Sequence, residues 1–330
     1  MSSSSNKNIL VLGEEADYST DLVMEWLLYA NGPNLIRVNT EDEITINKIK
    51  LEAASSQVSI AVLPKHENIN LDELDFYFYR RGSLRKKNPY HPLGFPLADH
   101  NIRTFINWEW KVCSEYIIDC LSHKNSWGNY RKRVVNKLAS LQLAAKIGFK
   151  IPNTLVTEDV ECLKSFIRTK ACIIKPLSDI IPIHHDDHFL HMGTKEMSAP
   201  PLQSFYPSLL QTRIAKWIEI RVFVSYDKLY AMAIFSQNNT KTELDYRNYD
   251  RSKMNRMVPF ELPGKIKAMV HAFMQEANVD TGSIDFILSP EREYVFLEIN
   301  PVGNIEMLSE NCNYYIEKHI AEQILDQINS

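Results

Sequence analysis

Two short apolar runs near the end of the chain each carry an acidic residue where a β-strand would bury it. The first is Gly282-Ser-Ile-Asp285-Phe-Ile-Leu, the second Tyr294-Val-Phe-Leu-Glu298-Ile-Asn300-Pro301. Phe286 to Leu288 and Val295 to Leu297 mark both as buried strands. A buried carboxylate is costly unless a cation or hydrogen-bond donors compensate it. Alternation along a strand brings Glu298 and Asn300 to one face. Asp285, Glu298 and Asn300 therefore offer three oxygen ligands. That set suits Mg2+, which takes one or two carboxylates and completes its octahedron with phosphate and water. The competing reading is a hairpin whose carboxylates pair with lysine or arginine.

Four further patterns point toward anion handling. In Ile173-Ile174-Lys175-Pro176, a lysine ends a buried run, where its ammonium can sit on a phosphate as a point charge. Lys137, beside the basic cluster Arg131, Lys132 and Arg133, is a companion; either lysine could instead snorkel on the surface. Leu210-Gln211 precedes Trp217-Ile-Glu219-Ile-Arg221, in which Glu219 and Arg221 share one strand face while Ile220 and Val222 fill the other. Arg221 can clamp a phosphoryl or carboxylate group in bidentate fashion, or can close a cross-strand salt bridge. Arg247, in the polar stretch Asp245-Tyr246-Arg247-Asn248-Tyr249, is an anion holder or part of a solvated turn. The cluster His184, His185, Asp186, Asp187, His188 and His191 resembles a metal site, but Pro182 and the lack of a framed helical i, i+4 pair favour a loop.

The chain has 330 residues, enough for two or three lobes. Its net charge of −4 gives no global pull toward nucleic acid. No apolar run is long enough to cross a bilayer. The serine run of Met1 to Lys7 reads as a tail, not a signal peptide. The five cysteines are odd in number and lack a CxxC pair, which disfavours a disulfide framework or zinc site and fits a reducing cytoplasm. Strand, helix and strand at residues 8–12, 21–30 and 35–39 predict an α/β lobe with a mainly parallel sheet. Further strands are predicted at 58–63, 75–79, 151–156, 172–175, 218–225, 229–235, 283–288 and 294–299. Helices are predicted near 102–122, 132–146, 159–170, 265–277 and 314–329, with Gly148 capping the second. The proline-rich stretch 88–96 reads as a loop.

Taken in order, the lysine, the lysine-proline, the glutamine, the acidic-x-arginine strand, the arginine loop and the Asp…Glu-x-Asn set resemble the ATP-grasp superfamily, from about Arg131 to the C-terminus. The resemblance is greatest to the ATP-grasp peptide maturases that make graspetides, the microviridin-type ligases and especially the grasp-with-spasm maturases. It rests on Asp75-Phe-Tyr-Phe-Tyr-Arg80-Arg81-Gly82, Ile218-Glu-Ile-Arg-Val, Phe296-Leu-Glu-Ile-Asn-Pro and Cys312-Asn-Tyr-Tyr-Ile-Glu-Lys-His-Ile-Ala. It implies an α/β (α+β) chain with an N-terminal lobe at 1–125, a central lobe at 126–210 and a C-terminal lobe at 211–330, the last two clasping ATP.

The resemblance also implies roles. Lys137 and Lys175 would hold ATP phosphates, Gln211 would mark the adenine hinge with backbone contacts from Thr212 to Ile214, and Glu219 would hold the ribose. Arg221 and Arg247 would face the transferring phosphoryl group and the substrate carboxylate. Asp285, Glu298 and Asn300 would bind two Mg2+ ions. The partner would be a ribosomally made precursor peptide, leader plus core, whose Asp or Glu side chains become acyl phosphates and then esters or amides. The leader would lie near Gly193 to Tyr206, with Lys195, Glu196, Phe205 and Tyr206 available. A homodimer is compatible with this picture; nucleic acid and membrane are not part of it. Two other expectations remain open: a different ATP-grasp carboxylate–amine ligase, and a non-catalytic ATP-binding regulator. One departure from the superfamily is the stretch after Lys175, which has only Gly193 where many relatives carry a glycine-rich loop.

Overall fold

The computed structural model describes residues 7–330 except 31, 66, 87–99, 169, 179–182, 186–187, 191–192, 198–204, 249 and 251, with backbone alone at 183–185 and 188–190. The proline-rich stretch and the side chains of the histidine cluster lie outside the described residues. The chain divides into two compact units. One runs to Arg133 and takes in Asn304–Ser309 and Tyr315–Ser330; the other is Val134–Gly303 with Glu310–Tyr314.

The first unit opens as predicted, with β1 (Asn8–Gly13), α1 (Tyr18–Tyr29) and β2 (Asn34–Asn39). It continues through β3 (Glu43–Glu52), β4 (Ser55–Leu63), β5 (Glu67–Asn70), β6 (Phe76–Tyr79), α2 (His100–Ser122) and β7 (Asn125–Trp127). Strands β2-β1-β6-β7 form a parallel sheet in that order. Ile9 to Leu12 and Phe76 to Tyr79 are buried on both faces, which is why each reads as an unbroken apolar run. After Arg80 and Arg81 the chain turns at Gly82, whose φ is +91° and where a Cβ would fall 2.1 Å from the Gly13 carbonyl oxygen. Only glycine fits such a close approach to the end of β1. Arg80 is fully buried, and burial pushes its guanidinium down to about 10 although Asp17 faces it. A separate antiparallel sheet, β3-β4-β5, contains two unpredicted strands, β3 and β5, and the concealment of β3 has a cause. The register of β3 shifts between Ile46 and Lys48, so Ile44 and Ile46 fall out of step with Ile49 and Leu51 and the period of two is lost.

The second unit begins with α3 (Lys137–Ile147). Its N-cap is Asn136, whose side chain accepts from the N–H groups of Leu138 and Ala139, and it stops at Gly148 with φ +107°. The basic residues before it form a 3-10 turn at Tyr130–Lys132, not helix. Then follow β8 (Thr154–Thr157), α4 (Val160–Ile167), β9 (Cys172–Lys175), β10 (Ile183–His185), β11 (His188–Leu190), β12 (Lys195–Met197) and β13 (Ser208–Thr212). They are followed by β14 (Ile218–Ser225), β15 (Lys228–Phe235), β16 (Arg256–Pro259), α5 (Gly264–Glu276), β17 (Thr281–Leu288) and β18 (Tyr294–Asn300). Helices α6 (Glu306–Cys312) and α7 (Ile316–Asn329) complete the chain. Among the described residues these strands form three antiparallel sheets, β10-β11, β12-β9-β13-β8 and β16-β15-β14-β17-β18. One face of the larger sheet carries Ile220, Val222, Ile284, Phe286 and Ile299, packed with Phe273 and Val270 of α5 and Leu141 and Ala144 of α3.

A single irregularity sorts β18 between core and site. Asp285 pairs with Glu298, but Phe286 pairs with Phe296, so Leu297 is an extra residue without a partner. In a regular strand Phe296 and Glu298 would share a face. The bulge turns Phe296 into the core beside Phe273 and Phe286, and leaves Glu298 on the opposite face. Phe296→Ala should therefore cost about 3–5 kcal/mol of unfolding free energy, as for a large aromatic lost from a packed core. Leu297→Ala, at a half-buried position, should cost about 1 kcal/mol; denaturant unfolding of the two variants measures both.

Candidate active site

Antiparallel register places the acidic and basic candidates in one row. Arg221 of β14 stands opposite Asp285 of β17, and Asp285 opposite Glu298 of β18. Directly opposed residues project from the same face, and that face is the one turned away from Phe286 and Phe296. Asn300, opposite Ser283, and Glu219, two residues before Arg221, extend the row at either end.

Two carboxylates set directly opposite each other repel. Arg247 lies between them: its Nη2 donates to Asp285 Oδ2 at 2.9 Å and to Glu298 Oε1 at 2.8 Å. Arg221 Nε stands 3.5 Å from Asp285 Oδ1, while its Nη1 donates to the Tyr246 hydroxyl. Lys137 Nζ is 3.6 Å from Glu298 Oε2 and donates to the Pro176 carbonyl at 3.1 Å, which brings it to the end of the strand that carries Lys175.

Charge and burial set the protonation of the row. Burial pushes the Glu298 carboxyl up, but Arg247, Lys175 and Lys137 together outweigh it and hold the group at about 2. At Asp285 burial wins: its carboxyl is raised despite Arg221 and Arg247, and Glu298 adds to the rise. Burial also lowers the Lys175 ammonium, against the pull of Glu298 and Asp245. The Tyr246 phenol is raised by burial and by Asp285, so it remains a neutral hydrogen-bonding group.

The remaining candidates have partners of their own. Glu219 is buried, receives Lys216 Nζ and Ser236 Oγ at 2.8 Å each, and has its carboxyl raised by burial against the pull of Lys216. Gln211 is buried in β13 and donates through Nε2 to Thr154 Oγ1 at 3.1 Å. The Thr212 N–H donates to the Asn153 carbonyl at 3.0 Å, and its hydroxyl accepts the Asn153 N–H at 3.2 Å. Ile214 lies half-buried just beyond. Lys195 and Glu196 lie on β12, and Tyr206 is 90 % exposed. Residues 198–204 of the expected leader surface lie outside the described residues.

The donor set fits a hard divalent cation. Two carboxylates and an amide oxygen share a face, and the position between the carboxylates already takes a guanidinium charge. Arg221 Nε is buried beside Asp285 with no hydrogen-bond partner among the described residues. Among the described residues there is no cluster of three or more His, Cys, Asp or Glu that could hold a metal. Three members of the site escaped the sequence: Lys216, Ser236 and Tyr246. Lys216 lies three residues before Glu219 and Tyr246 beside Arg247, but neither position announces its partner.

No family model and no curated protein matches the chain. Solved structures do. The RiPP-associated ATP-grasp ligase of Chryseobacterium gregarium, solved with ADP and a leader and core peptide, is 26% identical, with a TM-score of 0.83 over 97% of both chains. The fold is that of the ATP-grasp ligases. The macrocyclase MdnC of Microcystis aeruginosa MRC, bound to precursor peptide MdnA, is 23% identical with a TM-score of 0.76, covering 97% of this chain and 99% of its own. The ATP-grasp ligase PsnB, complexed with a minimal precursor, Mg and ADP, is 18% identical with a TM-score of 0.71 over 97% of each chain.

A titration tests the charge balance of this row. Because Glu298 is held below its ordinary 4.5, its charge stabilises the fold above about pH 4.5, and that contribution is lost as pH falls toward 2. The stability difference between the wild type and Glu298→Gln, measured by chemical denaturation, should be largest above about pH 5 and shrink steadily below it.

Proposed function

We propose that the chain is an ADP-forming ligase that cross-links side chains of a ribosomally made precursor peptide. The observation that carries this reading is the Arg221–Asp285–Glu298 row, flanked by Lys137 and Lys175, on a fold shared along 97% of the chain with a RiPP-associated ATP-grasp ligase. A peptide Asp or Glu carboxylate attacks the γ-phosphorus of ATP, the bond to the β-phosphate oxygen breaks, and ADP leaves. A Ser or Thr hydroxyl, or a Lys amine, then attacks the acyl carbon. Phosphate departs, the attacking group gives up its proton, and an ester or amide ring closes.

The residues supply position and charge. Lys137 and Lys175 would hold the phosphates as point charges, Glu219 the ribose, and the segment Gln211 to Ile214 the adenine. Asp285, Glu298 and Asn300 would hold Mg2+, which when bound neutralises the β- and γ-phosphate oxygens. The Nε of Arg221, ion-paired with Asp285 but without a hydrogen bond, suits the charge that grows on the transferred group. Arg247, drawn between the two carboxylates, would turn toward the substrate carboxylate once those acids are engaged elsewhere.

On this reading the chain comprises an N-terminal lobe at 1–125, a central lobe at 126–210 and a C-terminal lobe at 211–330. A reducing cytoplasm suits its five free cysteines. Among the described residues no helix is long and apolar enough to cross a membrane. A homodimer would give a covered face to Phe105, Trp108 and Val112, which stand exposed along α2.

Incubation with ATP and a candidate peptide should release ADP only when peptide is present, and the peptide should lose one water for each ring. A gain in peptide mass would instead indicate addition of a free amino acid. Asp285→Asn should abolish turnover while leaving the thermal transition in place. Arg221→Lys should lower kcat by about 10²–10³, the usual consequence of removing one transition-state donor.

A further inference from the structure

Arg247 reaches the carboxylates from residues 236–255, a segment with no strand or helix among its described residues. A guanidinium on such a loop must be aimed by something other than the sheet. Asp245 does this locally: its Oδ1 accepts the backbone N–H of Arg247 at 3.0 Å. Its other oxygen, Oδ2, accepts the Thr194 hydroxyl at 3.1 Å, across 51 residues of chain. Thr194 directly precedes β12, where Lys195 pairs with Ile174, the neighbour of Lys175. One carboxylate thus joins the backbone that carries Arg247 to the sheet that carries Lys175. Arg213 makes a second link between the same segments, binding Glu196 of β12 and Glu243 of the loop.

We propose that Thr194 and Asp245 form a clasp that positions Arg247 over Asp285 and Glu298 from the central sheet. Both are positioning residues, since they act on the backbone of Arg247 and not on the reacting atoms. A carboxylate held at both oxygens cannot swing. With Thr194 Oγ1 removed, Asp245 regains rotation about its side-chain bonds and Arg247 loses its fixed origin. The proposal rests on the ligase reading for its kinetic consequence, though not for its structural one.

Thr194→Val removes the hydroxyl and keeps the shape, while Thr194→Ser keeps the hydroxyl. With ATP and peptide, Thr194→Val should lower kcat about tenfold and leave the KM for ATP within about twofold, and Thr194→Ser should restore turnover. In an Arg247→Ala background the valine substitution should cause no further loss, because both changes remove the same interaction. The Arg247 amide should exchange its hydrogen at least about tenfold faster in Thr194→Val, a readout that needs no substrate. Unchanged exchange overturns the clasp even if the wild type shows no peptide-dependent ADP release, a result that would sink the ligase reading alone. A raised KM for ATP at unchanged kcat, or losses that multiply with Arg247→Ala, overturns it as well.

Discussion

Two carboxylates face each other across β17 and the end strand β18, and the charged groups gathered around them answer to that repulsion. Asp285 and Glu298 are directly opposed, and neither can be moved without shifting the register of β17 and β18. Positive charge must therefore come to them. It arrives from four places: Arg221 on the neighbouring strand, Arg247 on a loop, Lys137 at the start of a helix and Lys175 at the end of another sheet's strand. A pair so provisioned is expensive as a device for stability alone. It is well suited to a place where phosphates and cations exchange partners.

The four cations also differ in how they are held, and that ordering has chemical meaning. Arg221 is fixed by its strand and by Tyr246, so its Nε points where the sheet dictates. Lys137 and Lys175 are tethered by flexible stems at the ends of regular elements. Arg247 depends on a loop braced from another sheet, and it binds both acids through one nitrogen. The cation whose backbone is least fixed by regular structure thus makes the most contacts with the acids, so a rearrangement of the site would begin there.

Much of this was legible in the residues. The strands that carry the row were visible because β14 and β17 are buried along their whole length, and Ile218 to Val224 and Ile284 to Leu288 read as apolar runs interrupted by charged side chains. The opening strand of the first unit, β1, was legible for the same reason. What escaped reading depends on contacts between distant segments. Lys216 and Ser236 are unremarkable until the fold places both on Glu219. Tyr246 could be noticed beside Arg247, but not its bond to Arg221. Strand β3 was hidden by a register shift that breaks its alternation. The opposed pairing of Asp285 with Glu298 needed the pairing register, which no single strand reveals.

The unpaired Leu297 carries a consequence for how such a chain can change over time. Because one extra residue separates Phe296 from Glu298, the ring answers to the oily interior while the carboxylate two positions on answers to ions. Substitutions that retune the interior at Tyr294 or Phe296 can accumulate without rotating the acidic end, and the reverse also holds. The strand behaves as two short modules joined by a swivel. Losing that joint would tie their fates together, turning an aromatic ring toward the charges or a carboxylate toward the hydrocarbon.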